Sequence, residues 1–294
     1  MFKPVFIVDE RASWHYLSRN PNAIPILEEN LDKVYWPWLS GNPNAIHILE
    51  KNLDKVDWYN LSKNPNAIHI LEQNLDKVKW DRLSGNPNVI HILEKNLDKV
   101  YWPWLSKNPN AIHILEQNLD KVSWCYLSQN PNAIPILEEK NLDKVDWYNL
   151  SQNPNAIHIL ENNLDKVSWQ WLSLNPNAIH ILEKNLRKSW RQLSANPNAI
   201  PILEKNLDKV VWESLSQNPN AIPILEKNLD KVYWDKLSGN PNATHLLFPL
   251  DHKKMLENMK DFCEELVKSV FNPIRVQKMA DLYELDMVKY LELL

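Results

Sequence analysis

The chain has 294 residues, and its 33 lysines and arginines against 37 aspartates and glutamates give a formal charge of −4. This balanced, slightly acidic composition does not favour nucleic acid or an anionic membrane as a partner. The two cysteines, Cys125 and Cys263, lie far apart without CxxC spacing, so neither a disulfide framework nor a zinc site follows, and a reducing intracellular setting fits best.

The first segment of the chain, residues 1–12, has charged residues within its apolar stretch and no small-residue cleavage site. No window of the sequence approaches eighteen consecutive apolar residues. We therefore expect a protein that is neither secreted nor membrane-spanning. Residues 1–12 are predicted to form an amino-terminal cap on the repeats that follow.

Residues 13–247 consist of eleven units of about 22 residues, each marked by a tryptophan in the same position. One step is 23 residues, because of an extra residue at Glu139 or Lys140, and one is 21, in the segment NLRKSW. The two irregularities cancel. The repeat tryptophans are Trp14, Trp36, Trp58, Trp80, Trp102, Trp124, Trp147, Trp169, Trp190, Trp212 and Trp234.

A representative unit, residues 57–78, predicts two short helices. The segment DWYNLS reads as one to two helical turns, with Asp57 as a candidate N-cap. The segment NPNAIHILEQN predicts a helix of about ten residues, in which Asn64 or Asn66 caps the start and Pro65 has the φ of a first turn. Asn74 and its equivalents Asn30, Asn52 and Asn96 suit carboxyl caps or an asparagine ladder between units.

The apolar residues of the second helix fall on one face, which leaves His69 and Glu72 outside. Because helices shorter than about 12 residues are marginal in water, stacked neighbours must supply the core. We predict an all-α fold, an α-solenoid of eleven helix-turn-helix repeats of either hand, in a rod about 100 Å long. The apolar face consists of Ala67, Ile68, Ile70, Leu71 and Leu75.

The repeat tryptophans are interpreted as part of this buried core. On that interpretation, Trp102→Ala would cost about 3–5 kcal/mol of stability, as other buried large aromatics do.

One position of the second helix is histidine in seven units and proline in four, Pro25, Pro135, Pro201 and Pro223. Proline is tolerated only in a first helical turn, so this exchange locates the helix start. Stacked helices lie roughly 8–10 Å apart, whereas zinc ligands sit about 2.0–2.3 Å from the metal. We therefore predict a solvated surface row and no metal site at His47, His69, His91, His113, His158, His180 and His245.

Catalytic signatures are missing from the sequence. Serine and asparagine recur in eleven equivalent places, which does not describe a unique active site. No glycine-rich phosphate loop, HExxH or GxSxG motif occurs. We expect a protein that is not an enzyme, with no catalytic residues and no cofactor.

The repeat pattern ends at Phe248 and Pro249. Residues 248–294 predict one helix of about 20 residues followed by two shorter ones. Because solenoids need ends with a polar outer face, we interpret them as a carboxyl-terminal helical cap. The alternative is a separate docking module for a host or viral partner.

The motif LSxNPNAIHILEKNLDKVxW resembles a short helical repeat of proteins from large nucleocytoplasmic DNA viruses that infect algae and amoebae. The resemblance covers Ser13 to about Leu247, and the tail with FNPIR and a terminal YLELL is similar to endings of such proteins. It implies a viral origin and a location in an infected host cell or a virion. It implies no reaction.

Additional aromatic residues follow the repeat tryptophans at positions that vary between units. Aromatic side chains in surface rows are typical anchors of protein recognition, although here they could instead extend the stacking core. Neighbouring residues are mixed in charge, without the basic track that RNA or DNA binding requires. The candidate partner-binding residues are Trp38, Trp104, Trp171, Tyr16, Tyr59, Tyr126 and Tyr148.

Three functions follow as hypotheses. The first is a repeat scaffold for protein-protein interaction with a host or viral protein. The second is a structural virion component, in which the rod acts as a spacer or glue of fixed length. The third and weaker one is an adaptor whose carboxyl-terminal helices recruit a host complex.

Overall fold

The computed structural model describes residues 8–138, 141–185, 187–248 and 272–282, together with 286 and 289. Within these ranges every regular element is a helix, and none is a strand. The chain divides into two compact units, Glu10–Leu247 and a second unit of Met1–Asp9 with Phe248–Leu294. The all-α repeat architecture predicted from the sequence is confirmed for the first unit.

The repeats contain two helices each, numbered α1 to α22 in chain order, so that odd numbers are first helices and even numbers are second helices. The first helices are Trp14–Leu17, Trp36–Ser40, Trp58–Ser62, Trp80–Ser84, Trp102–Lys107, Trp124–Leu127, Trp147–Leu150, Trp169–Leu172, Trp190–Ala195, Trp212–Leu215 and Trp234–Leu237. The second helices are Ile24–Glu28, Ile46–Glu50, Ile68–Glu72, Ile90–Glu94, Ile112–Glu116, Ile134–Glu138, Ile157–Glu161, Ile179–Glu183, Ile200–Glu204, Ile222–Glu226 and Thr244–Leu247.

Short 3₁₀ turns lie at Pro197–Ala199 and Leu229–Lys231. In the second unit, the helix Pro273–Leu282, α23, is described, and its Val276 is buried. Most of the predicted carboxyl-terminal cap, and residues 1–7 of the amino-terminal one, lie outside the described residues, so both caps stay predictions. Glu139 and Lys140 also lie outside them.

The second helices are four or five residues long rather than ten, because asparagine side chains make turns at both of their ends. Before α6, the Asn64 side chain accepts a hydrogen bond from the Asn66 N–H at 3.0 Å. After it, the Asn74 amide donates to the Ile70 carbonyl at 2.8 Å. Asn30, Asn52 and Asn96 make the same bond, so of the two roles predicted for this series the carboxyl cap is correct.

The core of each unit is a small aliphatic cluster between its two helices. Leu61, Ala67 and Leu71 are fully buried, and Ile70 is nearly so. The prediction that Leu75 shares this face is wrong, because its side chain is 40% exposed. The helix ends at Glu72, so helical periodicity no longer governs the direction of a residue three positions later.

The repeat tryptophans are half-buried and lie outside the buried core, so their interpretation as buried core residues is wrong. A lysine from the segment after the second helix lies over most of these rings. The Lys77 ammonium is 5.1 Å from the Trp58 ring centroid, and Lys121 is 5.1 Å from Trp102. The lysine leaves part of the indole surface in solvent, as cation-π contacts at protein surfaces commonly do.

Consecutive units are joined by an asparagine ladder, the hydrogen bonds made by the two asparagines of each NPN segment. The Asn64 amide, fully buried, donates to the carbonyls of Ser40 and Asn42 in the preceding unit, both at 3.0 Å. The Asn66 amide donates to the Pro43 carbonyl at 2.9 Å. Equivalent bonds recur at every step, and they satisfy the backbone carbonyls that follow each first helix.

A buried serine adds a second link at each step. The Ser40 hydroxyl donates to the Trp36 carbonyl at 2.8 Å and accepts from the Asp57 N–H of the next unit at 3.0 Å. The Asp57 side chain in turn accepts from the Asn60 N–H at 2.8 Å, which confirms Asp57 as the cap of its helix. In this unit both ends of the first helix therefore depend on polar side chains.

The last unit is joined to the first by the same ladder. The Asn20 amide donates to the carbonyls of Ser238 and Asn240, both at 3.1 Å, across more than 200 residues of sequence. The Asn22 amide donates to the Pro241 carbonyl at 2.8 Å. These bonds reproduce, residue for residue, those between neighbours elsewhere in Glu10–Leu247.

Two further contacts complete this junction, which we call the seam. The Ser13 N–H donates to the Ser238 hydroxyl at 2.9 Å, the serine link of the repeat. The Arg11 guanidinium lies 3.6 Å from the Trp234 ring centroid. Glu10–Leu247 is therefore a closed ring of eleven units.

The predicted elongated rod is wrong. The length of about 100 Å expected for eleven stacked units becomes the circumference of a ring about 30 Å across at its helix axes. Closure requires a rotation of about 33° per unit, with no net rise. The repeat motif does not specify that rotation, because it follows from how side chains of successive units pack.

The first helices form the inner layer of the ring. Several successive pairs, such as Trp36–Ser40 with Trp58–Ser62, have Cα atoms within 8 Å of each other, whereas successive second helices approach less closely. In a closed ring, the layer with the closer spacing has the smaller radius. The first helices therefore surround the opening, and the second helices face outward.

Candidate partner-binding site on the inner row

The second and fifth residues after each repeat tryptophan lie on the side of the first helix that faces away from the second helices. We call these side chains the inner row. The second residues are Tyr16, Trp38, Asn60, Arg82, Trp104, Tyr126, Asn149, Trp171, Gln192, Ser214 and Lys236. The fifth residues are Arg19, Gly41, Lys63, Gly85, Lys107, Gln129, Gln152, Leu174, Ala195, Gln217 and Gly239.

Six of the seven candidate aromatic residues pair across unit boundaries. Five of them belong to the inner row, and Tyr59 and Tyr148 are the adjacent residues of the same helices. The ring centroid distances are 5.6 Å for Tyr16 and Trp38, 5.7 Å for Trp104 and Tyr126, and 5.4 Å for Tyr148 and Trp171. The structure thus brings neighbouring candidates together in contacts typical of aromatic pairs.

These aromatic side chains are neither fully exposed nor fully buried. Tyr59 and Tyr148 are 40% and 51% exposed, and the other five are half-buried. The buried indole nitrogen of Trp171 has no hydrogen-bond partner among the described residues. Since buried donors are normally satisfied, this N–H is an exception among the candidate residues.

The inner row contains five cations and no carboxylate, and the cations are Arg19, Lys63, Arg82, Lys107 and Lys236. Sequence reasoning considered only the two residues after each tryptophan, and it missed the three cations at the fifth position, Arg19, Lys63 and Lys107. All three glycines of the chain also lie here, at Gly41, Gly85 and Gly239. The signal was present in the sequence, at the fifth residue after each tryptophan.

Two guanidinium groups are held against aromatic rings. Arg82 lies 4.0 Å from the ring centroid of Tyr59 and 5.2 Å from that of Trp104. Arg19 lies 4.9 Å from the Tyr16 centroid and 4.5 Å from that of Trp38. Burial lowers the pKa of Arg19 from its ordinary value, and the guanidinium remains charged at neutral pH.

The inner row is continuous across the seam. The Lys236 ammonium donates to the Tyr16 hydroxyl at 2.7 Å, and this hydrogen bond is the main cause of a raised pKa for Lys236. The carboxylates of Glu213 and Asp235 lie 3.9 Å from the same ammonium. The lysine is thus positively charged and has acidic neighbours.

One open cleft lies in this row between units 1 and 3. It has a volume of about 330 Å³ and is lined by Arg19, Trp38, Gly41, Asn60 and Lys63. A Cβ atom at Gly41 would lie 3.7 Å from the Lys63 Cε and 3.8 Å from the Asn60 Cβ. The absence of a side chain at Gly41 therefore helps to keep the cleft open.

The histidine series lies on the second helices and pairs with glutamates of the preceding unit. His91 contacts Glu72 at 2.8 Å, His180 contacts Glu161 at 2.6 Å, and both partners of each pair are about half exposed. His69 contacts Gln73 of its own helix instead. Among the described residues, no group of three or more His, Cys, Asp or Glu side chains could hold a metal ion.

The thiol of Cys125 shows no sign of nucleophilic activation. Its Sγ atom is 2.9 Å from the Asn149 amide nitrogen, and burial, followed by the charge of Asp146, raises its pKa. A thiolate nucleophile requires the opposite shift. Cys263 lies outside the described residues.

No protein-family model matches the chain, and comparison with curated proteins and with solved structures found no match. Among the described helices, none has the length and apolar character needed to cross a membrane.

Proposed function

We propose that this chain is a non-enzymatic ring scaffold that holds a protein partner at its inner row. The observation that carries the proposal is the distribution of variation among the units. The ladder asparagines and serines are identical in all eleven units, whereas the inner row ranges from glycine to tryptophan. Interfaces are enriched in aromatic residues and arginine, as this row is.

The size of the opening restricts the partner. A ring about 30 Å across at its helix axes, less one helix diameter of about 10–12 Å, leaves roughly 20 Å. A single helix or an extended segment fits such an opening, whereas a compact 100-residue domain, with a radius of gyration of about 13 Å, does not. We therefore propose a peptide segment or helix as partner.

The resemblance to repeat proteins of large DNA viruses supports a role in an infected cell or a virion. A spacer of fixed length is less favoured than a scaffold, because the ring lacks the extended length on which that hypothesis depended. Recruitment of a host complex by residues 248–294 depends on residues that mostly lie outside those described, and it stays a hypothesis.

The experiment compares partner recovery by two triple variants of the full chain. Trp38→Ala/Trp104→Ala/Trp171→Ala changes the inner row, and His91→Ala/His113→Ala/His180→Ala changes the outer surface. We expect only the first to lose partners from infected-cell lysate, at a temperature where both variants remain folded. Equal recovery by both would contradict the proposal, as would recovered partners that crosslink only to outer residues.

A further inference from the structure

We propose that the Gly41 cleft and the cations around it bind a carboxylate-rich peptide segment. The basic arc is defined as Arg19, Lys63, Arg82 and Lys107, which lie in units 1, 3, 4 and 5. The proposal rests on the proposed function, because it specifies the chemistry of the partner held at the inner row.

The cations of the inner row are unevenly distributed around the ring. The basic arc places four cations in the inner row of units 1 to 5, whereas the row of units 6 to 10 has none. Opposite potentials steer association and suppress wrong partners. An acidic segment would therefore bind to one arc of the ring rather than to its whole circumference.

The positive charge of the basic arc is poorly compensated by nearby carboxylates. Among the described residues, no carboxylate lies within 4.0 Å of the charged groups of Arg19, Lys63 or Lys107, and Arg82 has only Asp81 at 3.6 Å. In contrast, Arg191 lies 3.4 Å from Glu213 on the far side of the ring. The arc has cationic groups that an external carboxylate can pair with.

The shape of the site also suits a carboxylate. The fifth residues alternate between cation and glycine, in the order Arg19, Gly41, Lys63, Gly85 and Lys107. Beside Gly85 the neighbouring side chain is the Trp104 ring, whereas the open cleft lies at Gly41. A carboxylate entering it would lie between Arg19 and Lys63, both of which line its walls.

Preorganisation supports a carboxylate at this place. The Arg19 guanidinium is half-buried and rests on the Tyr16 and Trp38 rings, so it loses little freedom when it binds. Planar guanidinium groups match the geometry of carboxylates and form two parallel hydrogen bonds with them. Lys63 is exposed, and its long side chain can reach a ligand in the cleft.

Single-stranded nucleic acid, the competing polyanion, fits this arc less well. Such strands are bound through aromatic faces on which bases stack, together with a continuous basic groove. Here Arg19 and Arg82 lie over four of the aromatic rings, and the cations stop after unit 5. The observations therefore favour a peptide.

The test is fluorescence anisotropy of the full chain with a labelled peptide of ten glutamates, at low and at physiological salt. We expect Lys63→Gln to weaken binding about tenfold, the loss of one charge-assisted hydrogen bond. Lys51→Gln, the same charge change on the exposed end of a second helix, is the matched control and should have no effect.

A second variant tests how much the cleft contributes to peptide affinity independently of charge. Gly41→Gln fills the cleft without changing net charge, and glutamine already occupies this position in three units as Gln129, Gln152 and Gln217. Because Gly41 has a φ of −86°, the backbone accepts the substitution. We expect Gly41→Gln to weaken peptide binding about as much as Lys63→Gln does.

Two results would overturn the acidic-peptide inference. One is peptide affinity that neither Lys63→Gln nor Gly41→Gln lowers, and the other is a ten-nucleotide single strand that binds more tightly through the same residues. If the triple tryptophan variant loses its partners but the glutamate peptide does not bind, the proposed function stands and the acidic-peptide inference fails. If the peptide binds but the triple variant keeps its partners, the proposed function fails and the peptide site stands.

Discussion

The asparagine ladder and the inner row belong to the same first helices and turns, yet they differ in how far the eleven units vary. Asn64 of the ladder and the linking Ser62 are fully buried, and their polar atoms have partners. Replacing one leaves buried carbonyls unsatisfied, which costs more than the bond itself contributes. Inner-row side chains are mostly half-exposed and cost little to exchange.

This contrast shows where the ring can vary without loss of fold. The ladder asparagines donate their hydrogen bonds to the backbone of a neighbour, so the ladder forms whichever side chains the inner row presents. A unit can therefore acquire a tryptophan, a lysine or a glycine at its inner position while its neighbours remain in place. The inner row can carry specificity at little cost in stability.

The largest expected effect comes from breaking the ladder at the seam. Asn20→Ala/Asn22→Ala removes the hydrogen bonds that these side-chain amides of unit 1 donate to unit 11. Asn64→Ala/Asn66→Ala removes the equivalent hydrogen bonds between units 3 and 2. Each pair should cost about 3–4 kcal/mol. Only the seam variant should open the ring, because no peptide bond holds that junction.

Small-angle scattering measures this difference. The radius of gyration should rise for the seam variant and stay unchanged for the internal one, while both melt at lower temperature than the parent chain. An unchanged radius in the seam variant, at a temperature where it remains helical, would show that the other seam contacts suffice for closure.

An intermediate effect is expected at two tryptophans of one helix. Trp102 is a framework residue covered by Lys121, and Trp104 belongs to the inner row and contacts Tyr126 and Arg82. Trp102→Ala should cost about 2 kcal/mol, below the range for full burial, because the ring is half-exposed. Trp104→Ala should cost about 1 kcal/mol.

Urea unfolding of the two variants provides the comparison, since each removes the same side chain from the same helix. If Trp104→Ala proved the more destabilising, the inner row would belong to the framework, and the contrast between the two regions would fail.

The smallest effect is expected on the outer surface. Glu72→Gln weakens the contact with His91, and the exposed position of the pair limits its contribution to about 0.5 kcal/mol or less. Glu116→Gln is a matched control, because proline stands at 135 where the next unit would place a histidine. The melting temperatures of the two variants should be nearly equal. A decrease of several degrees for Glu72→Gln alone would contradict this expectation.

Much of the candidate site was accessible to sequence reasoning, and a part was not. The aromatic members, including Trp38 and Trp104, stood out because they interrupt a repeat that is otherwise nearly constant. Arg19 and Lys63 did not stand out, because lysines and arginines are common on protein surfaces. Their position five residues after a tryptophan indicates a site only once the inner side of the helix is known. Their proximity to Trp38 depends on contacts between units.

The sequence by itself determined the repeat and its local structure. Eleven tryptophans at regular spacing, the proline and histidine exchange at the second helix, and capping residues such as Asp57 and Asn74 follow from periodicity and hydrogen-bonding capacity within one unit. Tertiary structure alone decided that Trp102 is half-exposed, that Asn64 rather than Asn74 links the units, and that Asn20 meets Asn240. Ring closure depends on a rotation of about 33° repeated at every interface. Such an angle is the sum of many small packing contacts between units, and no single residue type or spacing encodes it.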